Sequence, residues 1–336
     1  MFVINRLQNI MNNLNQSEIE KLRQKIYSTL DPIINSDYSL IDIPDYNNIG
    51  DNLIWEGELD YLSRLEYKKL YETNCWLFRD VNLPLNGMLL LQGGGNFGDL
   101  YRESQDLKIH IIEKYIDRKI LIFPQSIHYN DMNIFTKDLI ILKKHPNLHI
   151  CVRDQESYNL LNSNGLTNIY LLPDMAFCIK MAKFKVKDNS SSKTLLMKRR
   201  DKELNSDNKI DKLLKENSNI DILDWPTFNI SKNRHRLEYR KERYNRLISK
   251  SWIDKPILKK FIDYRYGLKN RNQKELYINK GIQFLNEYET IYTTRLHGLI
   301  LGILLNKNIK IIDNKHQKLT RYYNQWLKDF VNVDIY

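Results

Sequence analysis

The stretch Glu289-Thr290-Ile291-Tyr292-Thr293-Thr294-Arg295-Leu296-His297-Gly298 leads into an unbroken apolar run, Leu299-Ile300-Leu301-Gly302-Ile303-Leu304-Leu305. Its first half has the β-branched and aromatic content of a strand. The apolar run is hydrophobic on every side, as a helix packed between layers must be. A strand passing directly into a buried helix puts its turn at the carboxyl edge of a sheet, where open α/β folds bind ligands. Arg295 and His297 stand on that turn. Arginine offers a forked donor, histidine can move a proton near neutral pH, and the first N–H groups of a helix lack partners. Together they suit a compact anion. An isolated Arg-Leu-His is more commonly a salt-bridged arginine beside a satisfied core histidine, so the rest of the chain must decide.

Working back toward the N-terminus, the same strand-then-polar pattern recurs. Tyr38–Ile43 reads as a strand running into Asn47-Asn48-Ile49-Gly50-Asp51-Asn52, with a helix expected from Leu53 to Tyr71. Met88–Leu91 reads as a buried strand followed at once by Gln92-Gly93-Gly94-Gly95-Asn96-Phe97-Gly98-Asp99. Consecutive glycines allow positive φ and close backbone approach to a ligand. The loop lacks the Gly-Lys-Ser/Thr of a Walker A motif and the downstream acidic residue of a dinucleotide fingerprint. Lys119–Phe123 ends in Pro124-Gln125-Ser126, His149–Val152 in Arg153-Asp154, and Ile169–Leu172 in Pro173-Asp174. Near-continuous apolar strands are those of a parallel sheet covered on both faces. Four of them delivering Gly, Gln, Arg and Asp to one edge form half of a cleft.

The length of 336 residues favours two domains. The polar, serine-bearing stretch Lys183–Lys193 marks the boundary, giving domains of residues 1–185 and 186–336. An amphipathic helix is expected over residues 15–30, and strands are expected at Thr194–Met197, Ile220–Trp225 and Ile309–Ile312. Asn233–Asp263 reads as a basic, aromatic helical segment, and Lys318–Phe330 as a last helix packing back on the first domain. A hydrophobic content of 42% with 28% charged residues is globular. No apolar run approaches the ~20 residues of a membrane span, and Met1–Arg6 lacks a signal peptide's core, so a cytoplasmic protein is expected. The three cysteines, Cys75, Cys151 and Cys178, have no metal-ligand spacing. Three buried thiols and no metal are expected. The net charge of +11 invites anionic partners, but no nucleic-acid-binding signature is present and nucleic acid is not expected.

Taken in order, several pieces resemble the polysaccharide pyruvyltransferase family. They are Asn48-Ile49-Gly50-Asp51, Gly93-Gly94-Gly95-Asn96-Phe97-Gly98-Asp99, Pro124-Gln125-Ser126, Arg153-Asp154 with Ser157, Pro173-Asp174 with Phe177, and Arg295-Leu296-His297-Gly298. The resemblance covers residues 45 to 320 and implies two Rossmann-like domains in a GT-B-like arrangement, with the active site in the interdomain cleft. It implies phosphoenolpyruvate as donor, no cofactor, and a pyruvate ketal set across two hydroxyls of a sugar with release of phosphate. It also implies His297 as acid/base, with Arg295 and Arg153 clamping the donor's anionic groups.

Leu296 and Gly298 would then act through backbone N–H groups, and Lys315, at the next strand end, is added here as a further anion ligand. Asp51 and Asp174 would orient sugar hydroxyls or position His297, and Gln125 would hydrogen-bond substrate; for these three a structural role is an equal alternative. Gly94, Gly95 and Asn96 would approach the acceptor. The expected acceptor is a galactose-type residue, ketalated at its 4,6-hydroxyls, on a polyprenyl-diphosphate-linked exopolysaccharide or capsule precursor. A basic face between Lys232 and Lys274 would bring the protein to the inner face of the membrane as a peripheral partner. The rival reading is a GT-B glycosyltransferase using a nucleotide sugar. That reading needs a ribose-binding carboxylate in the second domain, and no convincing acidic site follows Gly298.

Overall fold

The computed structural model describes residues 2–186, 192–199, 208–217, 219–229, 273–313 and 317–336. It is a mixed α/β protein built on two parallel sheets. The first contains β1 (Tyr38–Ile41), β2 (Lys69–Thr73), β3 (Met88–Leu91), β4 (Gly94–Gly98), β5 (Ile120–His128), β6 (Leu148–Val152) and β7 (Ile169–Leu171). Its order is β2-β1-β3-β5-β6-β7, with β4 paired to the far half of β5. The second contains β8 (Thr194–Met197), β9 (Ile220–Leu223), β10 (Thr290–Thr293), β11 (Asn308–Ile311) and β12 (Val333–Ile335), in the order β12-β11-β10-β8-β9. The central strands are apolar throughout because both faces are covered: Leu89 and Leu91 of β3 enter one apolar cluster, Met88 and Leu90 another.

The helices are α1 (Phe2–Leu30), α2 (Ile49–Leu62), α3 (Arg102–Lys114), α4 (Met132–Lys144), α5 (Gln155–Ser163), α6 (Asn208–Glu216), α7 (Gln273–Asn286), α8 (Leu296–Leu304) and α9 (Lys318–Trp326). Three of them join the sheets. Ile49 and Leu53 of α2 pack into the second sheet's core, while Ile54, Tyr61 and Leu62 pack into the first's. In α1, Ile19 and Leu22 belong to the former cluster, and Ile26 and Leu30 to the latter. The Arg23 guanidinium adds hydrogen bonds to the carbonyls of Phe177 at 2.7 Å and Ile179 at 2.9 Å. From α9, the Tyr322 hydroxyl accepts from the Asp174 N–H at 3.0 Å, and the Trp326 indole donates to the Arg153 carbonyl at 2.9 Å.

Several expectations are corrected. The helix expected over Leu53–Tyr71 is two elements: α2 begins at Ile49 under an Asn48 cap and ends at Leu62, and Lys69–Thr73 is an edge strand beside β1. Its burial is mixed, with Lys69 and Leu70 exposed and Thr73 buried, and it carries no continuous apolar run. The first helix starts at Phe2, not near residue 15. β5 continues past Pro124 to His128, with a register shift between Ile122 and Gln125 where proline removes a ladder donor. Cys151 and Cys178 are buried thiols, whereas Cys75 is half-buried. Burial still pushes the Cys75 thiol up to about 12. Asn233–Asp263 lies outside the described residues. No described helix is long and apolar enough to cross a membrane.

Candidate active site

His297 lies on the first turn of α8, which begins directly after β10. The turn is held by Thr293, whose hydroxyl accepts from the Arg295 N–H at 3.0 Å and lies 3.2 Å from the Arg295 carbonyl, to which it donates. No side chain caps α8. Gly298 presses on the strand ends, since a Cβ there would meet Met197 Sδ at 2.4 Å and Thr293 Oγ1 at 2.9 Å.

The His297 ring reaches the first sheet. A Cβ at Gly50 would lie 2.5 Å from Nδ1 and 2.9 Å from Cγ, so the imidazole occupies the space that glycine leaves at the start of α2. On the other side, Nε2 stands 3.4 Å from Asp174 Oδ2 and makes no hydrogen bond among the described residues. Asp174 is wholly buried beyond β7. Its Oδ2 accepts from Arg153 Nη1 at 2.6 Å and its Oδ1 from the Ala176 N–H at 2.9 Å. Arg153, beyond β6, also gives Nε to Ser126 Oγ at 2.9 Å. Its Nη2 carries no hydrogen bond among the described residues and faces exposed Gly95, where a Cβ would sit 3.4 Å away. A side chain at that position would crowd the open end of the guanidinium.

Asp51, on the first turn of α2, completes the group. Its Oδ2 accepts from the Tyr46 hydroxyl at 2.8 Å and Asn48 Nδ2 at 2.7 Å, while Oδ1 is 4.0 Å from the place a Gly94 Cβ would take. The two carboxyls around His297 are pushed in opposite directions. Burial would raise Asp174, but His297, Arg153 and the Ala176 N–H hold it well below the usual carboxylate range. Burial lifts Asp51 above that range, over the opposing pull of His297, the Tyr46 hydroxyl and Arg153. Oppositely displaced carboxyls beside one imidazole are the arrangement of acid–base sites.

The other expected residues are placed differently. Arg295 forms a two-pronged pair with Asp224 beyond β9, Nε to Oδ1 at 2.5 Å and Nη2 to Oδ2 at 2.7 Å. Gln125 is fully buried and donates Nε2 to the Gln92 carbonyl at 2.5 Å and to Asn96 Oδ1 at 3.1 Å, so it stands behind the glycine strand. Asn96 donates to Asp42 Oδ2 at 3.1 Å and accepts from Lys108 Nζ at 3.0 Å. Leu296 is half-buried and Gly298 buried at the start of α8. Lys315 lies outside the described residues.

Sequence reasoning missed the support beneath the glycine strand. Lys108 is fully buried and pairs with Asp42 at 2.7 Å, and Ser104 Oγ donates to the second Asp42 oxygen at 3.0 Å. Asp42 itself has φ +69°, an uncommon conformation for a non-glycine residue. Asp42 ends an apolar strand and could have been noticed for that. Lys108 gave no signal, because a lysine in a charged helix reads as solvated. Tyr46, Asn48 and Asp224 were likewise passed over.

The chain is similar to several known proteins. The model of the family described as polysaccharide pyruvyl transferase matches residues 48–316. The Bacillus subtilis protein named "Putative pyruvyl transferase EpsO" is 32% identical over 316 residues, covering 91% of each chain. Pyruvyl transferase 1 of Schizosaccharomyces pombe is 24% identical over 86% of this chain and 69% of its own. A Klebsiella pneumoniae protein of known structure shares the fold with a TM-score of 0.58, at 19% identity, over 94% of this chain and 98% of that one. Matched across its strand ends, from the Asn48 cap through the glycine strand to the His297 turn, the chain belongs to the polysaccharide pyruvyl transferase family.

Proposed function

We propose that this protein moves pyruvate from phosphoenolpyruvate onto two hydroxyls of one sugar, closing a cyclic ketal and releasing phosphate. The observation that carries this reading is the meeting of His297, from the second sheet, with the Arg153–Asp174 pair of the first, its Nε2 unbonded. The cleft would lie between two Rossmann-like halves arranged as in GT-B enzymes.

The donor carries a carboxylate and a phosphate. The open Nη2 of Arg153 and the uncapped start of α8, through the N–H groups of Leu296 and Gly298, offer donors for two anionic ends. Arg295, anchored by Asp224, adds positive charge beside them, and Lys315 is retained as a further anion ligand. His297, with Nε2 beside Asp174, protonates the donor's methylene carbon, and positive character develops at the central carbon. A sugar hydroxyl attacks there; a second attack expels phosphate and closes the ketal. Exposed Gly95, with buried Gly94 behind it, leaves bare backbone on which the acceptor ring can rest. The acceptor is assigned to a galactose-type residue on a polyprenyl-diphosphate precursor, ketalated at its 4,6-hydroxyls, with the enzyme peripheral at the inner face of the membrane.

The test is phosphate release from phosphoenolpyruvate, scanned across galactosyl and mannosyl acceptors with and without a lipid diphosphate. Release that requires an acceptor, and that falls by about 10²–10⁴-fold in His297→Ala, is the expected result. A protein that binds no phosphoenolpyruvate and releases no phosphate with any of these acceptors would overturn the reading.

A further inference from the structure

Pyruvyl transfer as read above needs a base for the attacking hydroxyl as well as an acid for the methylene carbon, and one imidazole cannot be both in the same step. We propose that Asp51 is that base, with Oδ1 as the working atom and the glycine strand, open at Gly95, as the floor on which the acceptor presents its hydroxyls. The inference rests on the pyruvyl-transfer reading and adds to it the group that takes the acceptor's proton.

The other carboxyls around the cleft are paired or, as with Glu58, wholly buried with one oxygen unpartnered among the described residues. Asp174 has Oδ1 on the Ala176 N–H and Oδ2 shared between Arg153 and His297, and it is wholly buried. Asp42 is tied to Lys108, Ser104 and Asn96. Glu58 is wholly buried, with Oε1 on the Gly93 N–H at 2.8 Å. Asp224 is taken by Arg295. Asp51 differs. Tyr46 and Asn48 hold its Oδ2 and fix the carboxyl plane, while Oδ1 makes no hydrogen bond among the described residues and faces the glycine strand at Gly94. The residue is half-buried and not sealed in the interior, which leaves that oxygen a path to a ligand. It also follows Gly50, on whose backbone the His297 ring rests. The acid and the base therefore meet adjoining residues at the start of α2. Burial has raised the basicity of the Asp51 carboxylate, which suits proton abstraction near neutral pH.

The proton balance closes. In the first addition the methylene carbon takes a proton from the His297 imidazolium, and the acceptor oxygen bonds to the central carbon while its proton passes to Asp51 Oδ1. In the second, the bond from the central carbon to the phosphate oxygen breaks and its electron pair leaves with phosphate. The second hydroxyl then bonds to the same carbon and returns its proton to His297. Asp51 passes its proton to the departing phosphate, and both groups are restored.

The groups facing Asp51 are His297 from α8, Tyr46 and Asn48 from the loop before α2, Arg153 beyond β6 and Asp174 beyond β7. Asp51→Asn keeps an oxygen for Tyr46 and Asn48, and it should fold with an unfolding midpoint close to the parent's. Its kcat should fall at least 100-fold, with the affinity for phosphoenolpyruvate, measured by calorimetry without acceptor, within threefold. The acid limb of the parent's kcat/KM profile should vanish from the residual activity. Tyr46→Phe removes a hydrogen bond that favours the carboxylate, so it should move that limb to higher pH. It serves as the deciding variant if Asp51→Asn does not fold. An Asp51→Asn enzyme keeping more than a tenth of the parent's kcat, a residual rate that retains the acid limb, or an unmoved limb in Tyr46→Phe would overturn the inference while leaving pyruvyl transfer standing. A parent enzyme that releases no phosphate with any acceptor would refute the pyruvyl-transfer reading and, with it, this inference.

Discussion

Replacing Gly50 with alanine tests the contact on which the two halves of the site depend. Gly50 lies within α2 and its φ is not in the left-handed region, so alanine suits the backbone. The obstacle is the His297 ring, with Nδ1 at 2.5 Å, Cγ at 2.9 Å and Cβ at 3.2 Å from the new methyl. Comfortable contact needs about 3.5 Å, so the ring must retreat by roughly 1 Å. That retreat changes its place relative to Asp174 and to the donor site, and a displacement of this size costs about 100-fold in rate.

Stability should change far less. Overpacking costs about 1–3 kcal/mol, and a glycine-to-alanine change at a compatible position returns about 0.4–1 kcal/mol. The net loss is therefore about 0–2.6 kcal/mol by the same two ranges. Turnover and urea unfolding of Gly50→Ala, made both in the parent and in His297→Ala, separate the two effects. In the His297→Ala background the methyl meets only the Cβ of residue 297, at 3.2 Å, so most of the stability loss should disappear and the residual rate should be left alone. A Gly50→Ala enzyme within threefold of the parent, or a second-site loss as large as the first, would refute the argument.

Gly98→Ala should be the most damaging single-methyl change in the glycine strand, because φ is +134° and a Cβ would lie 1.8 Å from the His128 carbonyl oxygen. A loss of about 3 kcal/mol or more is expected in urea unfolding. Lys108→Met should cost about 3–5 kcal/mol by leaving Asp42 buried without its cation, and adding Asp42→Asn should recover part of that loss in a double-mutant cycle. Asp174 gives a pH signature. Its folded-state pKa lies below the unfolded value of 3.8, so its stabilisation is complete above that value and is lost as pH falls through the folded pKa. Asp174→Asn should therefore be less stable than the parent at pH 7, and urea unfolding repeated at decreasing pH should show the gap narrowing only in the acid range below 3.8.

What could be read from the sequence follows from where water is excluded. β3, β6 and β10 lie within sheets covered on both faces, so their apolar runs stop where the cleft begins, and Gly93, Arg153 and Arg295 are visible as strand endings. β2 and β12 are edge strands, and their mixed burial leaves no run to read. The candidate site was legible as a set of residue types but not as a set of contacts. The Arg295 fork turned to Asp224, and Gln125 went behind the glycine strand, because both depend on which strands are neighbours. The pairing of Asp42 with Lys108 joins residues 66 apart in sequence across a strand end and a helix, a distance no local pattern spans.

The same limit explains how the His297–Asp174 spacing is set. Gly50 and Gly57 are seven residues apart and so share one face of α2. Gly50 receives the His297 ring of the second sheet, and Gly57 receives the Met175 carbonyl, where a Cβ would sit 1.9 Å away. Met175 directly follows Asp174. One helix therefore touches both His297 and the residue after Asp174 through positions that have no side chain, and the 3.4 Å between Nε2 and Oδ2 is gauged from its backbone. Rotamers of long side chains would make a softer gauge, since each could yield by an ångström. Two bare glycines cannot yield, and the two sheets can come together at this edge only in the separation that α2 allows.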